Sequence, residues 1–374
     1  MSHKTLFLQQ SYIDCTNQYT ALLEAPKLPL WDYVILTASN EEQAASYRTQ
    51  IQYRLDHNML PALTHYAVLP DPDGKRVGSG GATLNVLRYV HENAGSFEKQ
   101  RILVIHSGGD SKRVPQYSAC GKLFSPVPRV LPNGKRSTLF DEFMISMSGV
   151  AARMNAGMLV CSGDVLLLFN PLQIDFYGKG AAALSIKEPA EIGKNHGVYR
   201  VDGEGNVGGF LHKKTVEQLQ SLGASDDQGN VDIDTGAVIF DSEMLQALYQ
   251  LVDTKEKFAA YVNERTRLSF YADFLYPLAS DSTLEQYYKE TPEGDFTPEL
   301  EQCRTELWSV LHPYQMKLIR MSPAAFIHFG TTKELRELMT ERMEEFCYLG
   351  WSSHIHTNRA EQNFAVSNSY AEFS

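Results

Sequence analysis

Short apolar runs alternate with helix-period segments through the first half of the chain. Tyr33-Val34-Ile35-Leu36-Thr37-Ala38 has the continuous apolar character of a strand buried on both faces. Ser39 and Asn40 are good N-caps for a following helix, and Glu41 and Glu42 suit its positive end. Ala45, Tyr47, Ile51 and Leu55 carry that helix to about His57, ahead of Pro61. A second strand is expected over His65–Leu69, stopped by the turn signal Pro70-Asp71-Pro72-Asp73-Gly74. Gly78-Ser79-Gly80-Gly81 then opens a helix with apolar positions Leu84, Val86, Leu87 and Val90. The next unit is a strand, Ile102–Ile105, a loop from Ser107 to about Ser118, a helix over Leu139–Met154 and a strand, Met158–Cys161.

Beyond Asp164 the pattern turns toward strands, at Ala181–Ile186, Val198–Val201, Gly209–His212 and Ala237–Phe240. Two mostly helical stretches follow, then strands at Met316–Met321 and Ala325–Phe329 and an amphipathic helix from Lys333 to about Glu345. A βαβ beginning and a strand-rich second half predict an α/β fold with a mixed, mostly parallel central sheet and helices on both sides. One domain is expected over residues 1–345. Residues 346–374, polar and aperiodic after Trp351, read as a C-terminal extension.

Composition narrows the function. The 34 basic and 45 acidic residues leave a formal charge of −11, which argues against a general nucleic-acid binder. A nucleotide substrate stays open, because a few local cations can hold phosphate on an acidic protein. No run has the 18 or so apolar residues of a membrane-spanning helix, and Thr5-Leu6-Phe7-Leu8 is too short for a signal peptide. Five cysteines, odd in number and without a CxxC pair, fit a reduced, cytoplasmic protein.

The chemistry concentrates after the strand that ends at Ile105-His106. Gly108 and Gly109 let the backbone turn sharply and point N–H groups outward, at the strand ends where open α/β sheets bind ligands. Arg113 and Lys122 would supply charge for a polyphosphate; a solvated turn with scattered basic residues is the plain alternative. Asp164, in Ser162-Gly163-Asp164, is a hard ligand at a strand end or a turn aspartate. Gly78, Gly80 and Gly81 open a helix and so offer anion-binding N–H groups, or simply a flexible helix start. His354-Ile355-His356 lacks a third ligand and reads as structural.

The loop Gly108-Gly109-Asp110-Ser111-Lys112-Arg113, followed by Gly121-Lys122, resembles the signature of the sugar nucleotidyltransferases, Gly-Gly-x-Gly-Thr-Arg and then Pro-Lys. Ser111, Lys112 and Gly121 depart from it. With Tyr117-Ser118 and the segment Gly78–Thr83, these departures resemble the fucose-1-phosphate guanylyltransferases, in particular the N-terminal part of the bifunctional fucokinase enzymes. The resemblance implies a Rossmann-like nucleotidyltransferase fold and transfer of GMP from GTP to a sugar 1-phosphate, β-L-fucose 1-phosphate above all. It implies Mg²⁺ on Asp164, pyrophosphate held by Arg113, the α-phosphate stabilised by Lys122 and the sugar phosphate oriented by Lys213, with Lys214 as the neighbouring alternative. Gly78, Gly80, Gly81, Gly108 and Gly109 would face the nucleotide, and Gly236, in Asp234-Thr235-Gly236, the sugar. His328 stands where the wider family has a second metal-binding aspartate, so it would touch the metal or donate to a phosphate. The extension would be the truncated start of a strand-repeat region, Phe364–Ser369 its first strand, leading in a full-length protein to a fucokinase. Another sugar or base, or a catalytically silent regulatory module, would fit the same motifs.

Overall fold

The computed structural model describes residues 2–109, 114–118, 121–212 and 214–352. Its strands are β1 (Tyr33–Ala38), β2 (His65–Pro70), β3 (Arg101–His106), β4 (Pro126–Val130), β5 (Arg136–Thr138), β6 (Gly157–Ser162), β7 (Val165–Leu168), β8 (Ala181–Pro189), β9 (Gly197–Val201), β10 (Val207–His212), β11 (Asn230–Asp241), β12 (Met316–Arg320) and β13 (Ala325–His328). The first four helices are α1 (His3–Glu24), α2 (Glu41–Asp56), α3 (Gly78–Ala94) and α4 (Leu139–Ser148).

Among the described residues nine strands form the central sheet. The parallel series β2-β1-β3-β6 continues into β11, which runs antiparallel to β6. Strand β11 is long enough to change partners: its second half lies beside β6, its first half meets β9, and β8 runs along its other edge. Strand β12 adds in parallel to β8, and β10 pairs with β9. Only β10 and β11 oppose the direction of the other strands, so the expected mixed, mostly parallel α/β sheet is what forms.

The sheet is covered on both faces, as its apolar strands require. Leu36, Leu103 and Leu159 face one apolar cluster with α1, α2 and α4; Ile35, Val104 and Val160 face the other with α3 and the helices Ser242–Tyr249 and Pro298–Leu311. Helix α1 was not expected. Its buried positions Leu8, Tyr12, Cys15, Tyr19 and Leu22 have helical spacing, but tyrosine and cysteine stand where aliphatic residues would have advertised it. The helix expected over Leu139–Met154 leaves α-geometry at Gly149, and residues Gly149–Arg153 form a 3₁₀ turn.

Near the C-terminus a 3₁₀ turn, Met343–Leu349, buries Phe346, Leu349 and Trp351 in the first of these clusters. The boundary expected at 345 therefore falls inside a packed turn, and the core continues to Trp351. The rest of the extension, Phe364–Ser369 and His354–His356 included, lies outside the described residues. Cys15, Cys161 and Cys303 are buried free thiols and Cys347 an exposed one. Among the described residues no helix is long and apolar enough to cross a membrane.

Candidate active site

The carboxyl ends of β1, β3 and β6 and the middle of β11 meet at one edge of the sheet. The loop after β3 is held by its neighbours. Ser107 donates its hydroxyl to the Thr37 carbonyl at 2.8 Å, and the Gly108 N–H donates to Thr37 Oγ1 at 3.3 Å. From α2, the Tyr47 hydroxyl donates to the Ser107 carbonyl at 2.9 Å. The same hydroxyl explains Gly121, where φ is +68° and a Cβ would lie 1.9 Å from it. Tyr47 thus braces the loop at both ends, a reason for Gly121 that the sequence does not show. The next residues, Lys122–Phe124, form a 3₁₀ turn anchored by buried Leu123 and Phe124.

That turn brings Lys122 Nζ to 3.1 Å from Asp164 Oδ2, with both side chains largely out of solvent. Ser162 donates to Asp164 Oδ1 at 2.8 Å. Burial pushes the Asp164 carboxyl up, but Lys122, His328 and the Ser162 hydroxyl outweigh it and hold it below its ordinary value. Strands β7 and β13 pair Val165 with His328, and the Phe329 N–H donates to the Asp164 carbonyl at 2.7 Å. His328 Nε2 consequently lies 3.8 Å from Asp164 Oδ2. Its Nδ1 is 2.9 Å from Glu334 Oε1, and Thr331 donates to Glu334 Oε2 at 2.8 Å. A carboxylate only accepts, so Glu334 makes Nδ1 the donor and turns Nε2 toward Asp164. Burial raises the Glu334 carboxyl, but His328 and Thr331 bring it below its ordinary value. Gly330 leaves room for the ring, since a Cβ there would come within 2.0 Å of it.

A cleft of about 1430 Å³ opens beside these groups, with Asp164, His196, Lys214, Gly236, Tyr271 and His328 among its lining residues. Gly236 belongs to a bulge in β11, where the register against β8 shifts between Asp234 and Ala237. Its φ is +71°, and a Cβ would meet Ser162 Cβ at 3.0 Å. Asp234 Oδ1 accepts from the Gly236 N–H and the Tyr199 hydroxyl, both at 2.8 Å. Burial raises the Asp234 carboxyl despite these bonds.

The structure therefore brings Lys122, Asp164, His328 and Gly236 together. Gly108 and Gly109 start the neighbouring loop, while Arg113 and Lys213 lie outside the described residues. Gly78, Gly80 and Gly81 are not among the residues lining this cleft. The segment Arg267–Leu268 covers Gly78 and Gly80: a Cβ on Gly78 would sit 2.1 Å from the Leu268 carbonyl oxygen, and the Gly80 N–H already donates to that oxygen at 2.8 Å, while a Cβ on Gly81 would meet Val77 at 3.0 Å. An anion-binding role through the Gly80 N–H is thus corrected to a packing role, because its donor is spent.

Known proteins show the family of the chain. The fucose pyrophosphorylase domain matches residues 94–372. The chain belongs to that family. It is 28% identical over 341 residues to the human fucose-1-phosphate guanylyltransferase, covering 81% of this chain and 54% of that protein. The mouse protein of the same name is 27% identical over 334 residues, covering 81% and 56%. A bifunctional fucokinase/GDP-fucose pyrophosphorylase of Arabidopsis thaliana is 26% identical over 348 residues, covering 83% and 32%. The chain thus spans about half the length of the two mammalian relatives and about a third of the plant one.

In this fucose pyrophosphorylase domain, Ser162, Glu334 and Tyr271 are site residues that sequence reasoning missed. Glu334 had a local signal, since Thr331-x-x-Glu334 marks a capped helix start, and Thr331 Oγ1 does accept the Glu334 N–H at 3.2 Å. Nothing local showed that the same carboxylate also holds His328. Tyr271 sits in a stretch read only as mostly helical.

Proposed function

We propose that this chain transfers GMP from GTP to β-L-fucose 1-phosphate, forming GDP-fucose and pyrophosphate. Membership of the fucose pyrophosphorylase domain family and the names of the relatives support the substrates. The observation that carries the reading is the Lys122–Asp164–His328 cluster, whose Asp164 and His328 line a cleft large enough for a nucleotide sugar. An oxygen of the sugar phosphate attacks the α-phosphorus in line, and the bond to the β-phosphate oxygen breaks as pyrophosphate leaves. No covalent enzyme intermediate is needed, so the protein's part is positioning and charge neutralisation.

Lys122 stands at the end of the glycine loop, suited to charge that builds up on the α-phosphate. Arg113 would hold the pyrophosphate and Lys213 the sugar phosphate, with Lys214 available in the cleft wall. Gly236 would admit close approach of the sugar. Asp164, an ionised carboxylate, would hold Mg²⁺ together with substrate phosphate oxygens and water. When bound there, Mg²⁺ would neutralise phosphate charge. His328 is a poor ligand for so hard a cation; in its imidazolium form, with Nδ1 still donating to Glu334, its Nε2 would instead donate to a phosphate oxygen.

The fusion of related proteins to a fucokinase supports a bifunctional full-length form. The test is purified chain with Mg²⁺, GTP and fucose 1-phosphate, assayed for GDP-fucose and pyrophosphate. Product with GTP and fucose 1-phosphate, and none from free fucose and ATP, is the expected result. Preference for another base or sugar would reassign the substrate, and GTP binding without turnover would make the chain a silent module.

A further inference from the structure

Followed along the sheet from β6, the cleft wall passes from Asp164 over the Gly236 bulge of β11 to β9 and β10. On β10 it presents the ring of Phe210, which is only partly buried, although Tyr199, opposite it in the register, is fully buried. The Phe210 ring leans on Tyr199, with centroids 5.4 Å apart, and reaches across Gly197 of β9. A Cβ on Gly197 would lie 2.6 Å from Phe210 Cζ and 3.1 Å from Asp234 Cβ. The missing side chain therefore brings an aromatic ring and a carboxylate side by side in the cleft wall. That carboxylate is fixed in turn by the Tyr199 hydroxyl and the Gly236 N–H, each at 2.8 Å. An apolar surface beside a fixed acceptor suits a sugar, which offers C–H faces and hydroxyl edges at once.

We infer that Phe210 is a substrate-contact residue, the platform on which the sugar ring stacks beyond the Gly236 bulge. In a sugar of the galacto configuration, such as fucose, the axial C4 hydroxyl leaves the C–H groups of C3, C4 and C5 together on one face, with C6 beside them. That face gains by leaving water against an aromatic ring, while hydroxyls at its rim can turn to Asp234. The other phenylalanine of the cleft wall, Phe326, is placed differently. It stands against His196 and His328, with centroids 5.4 and 6.2 Å away, in the strand that carries His328 to Asp164. Phe210 adjoins the Asp234–Gly236 bulge instead, where the proposed reaction puts the sugar.

The inference deepens the proposed reaction and rests on it. The test measures steady-state rates with fucose 1-phosphate and GTP and, separately, binding of GDP-fucose and of GDP by calorimetry. Phe210→Ala should raise the KM for fucose 1-phosphate and the Kd for GDP-fucose by roughly 10-fold each, the scale of one lost aromatic contact. The KM for GTP and the Kd for GDP should stay within about twofold, because neither carries the sugar. Phe210→Thr, whose side chain suits a strand, should show the same split and decides the matter should the alanine chain fail to fold in a thermal melt. Equal weakening of GDP and GDP-fucose would make Phe210 a structural residue of β10 and overturn the inference. Unchanged constants in a folded variant of an active chain would overturn it too, leaving the reaction standing. A wild-type chain that neither turns over fucose 1-phosphate nor binds GDP-fucose more tightly than GDP would overturn the proposed reaction, and this inference with it.

Discussion

Gly78 and Gly80, at the start of α3, lie under another piece of backbone, whereas around Gly109, after β3, the described residues leave open space. A Cβ on Gly78 or Gly80 would reach the Leu268 carbonyl oxygen within 2.1 or 3.1 Å; at Gly109 none of the described residues comes within 4 Å. Both stretches follow a strand of the same parallel series and look alike as text. In the first, the missing side chain lets two protein segments close on each other. In the second, no described segment closes on the missing side chain, and the Gly109 carbonyl accepts from Gln43 Nε2 at 3.3 Å. Glycine spacing therefore signals close approach, and only the neighbours say whether protein or substrate approaches.

The largest effect expected tests the open side. Lys122→Ala should lower kcat by on the order of 10²–10³, the scale for losing one transition-state stabiliser, in a chain that still folds. Steady-state rates beside a thermal melt check this, and near-normal turnover would remove Lys122 from the chemistry. The closed side should respond in stability instead. Gly78→Ala combines a φ of +77° with a backbone clash and should cost about 3 kcal/mol or more in urea unfolding. Gly109→Ala, at φ +126° but without a clash among the described residues, should cost about 1–2 kcal/mol while disturbing turnover. Equal unfolding losses at the two glycines would erase the distinction.

His328→Ala should raise the KM for the sugar phosphate by roughly 10-fold, the scale of one charge-assisted hydrogen bond, and barely move the Mg²⁺ concentration needed for half-maximal rate. The opposite split would give His328 to the metal. Glu334→Gln should change the same constant in the same direction, by less.

The smallest effect belongs to the closed side. Asp71 is pushed up to about 7 by burial, with Glu293 adding to the rise and the Val77 backbone, Arg76 and Arg267 opposing it. Its folded value lies above its unfolded one. Between about pH 4 and pH 7 the folded chain therefore keeps a proton that the unfolded chain has lost, and this contribution to stability disappears as pH rises through that window. Asp71→Asn should flatten the decline, making Tm between pH 5 and pH 8 steadier by roughly 2 °C. An unchanged slope would place the titration elsewhere.

Much of this could be read along the chain. Strands β1, β2, β3 and β6 and helices α2 and α3 follow from apolar runs, a cap at Asn40 and turn residues, because each signal lies within a few residues of the element it specifies. Strand β7 escaped notice because Val165–Leu168 follows the Gly163-Asp164 turn so closely that it reads as a continuation of the strand before it. Helix α1 escaped because Tyr12, Cys15 and Tyr19 disguise its apolar stripe. At the site, Lys122 and Asp164 were legible as residue types suited to phosphate and metal. Ser162, Tyr271 and Glu334 were not, since a serine, a tyrosine and a glutamate have many ordinary uses and their roles here depend on what lies opposite.

By itself the sequence determined the alternation of strand and helix, the sharp turn at Gly108-Gly109 and the presence of a cation and a carboxylate at neighbouring strand ends. Those are local properties, set by backbone freedom and hydrophobic period. Tertiary structure decided that Tyr47 fills the space Gly121 leaves, that the β7–β13 pairing carries His328 to Asp164, and that Leu268 rather than a phosphate takes the Gly80 N–H. Each of these is a contact between segments far apart in the chain. Their meeting depends on sheet order and strand register, which the whole core selects at once and no short window of residues contains.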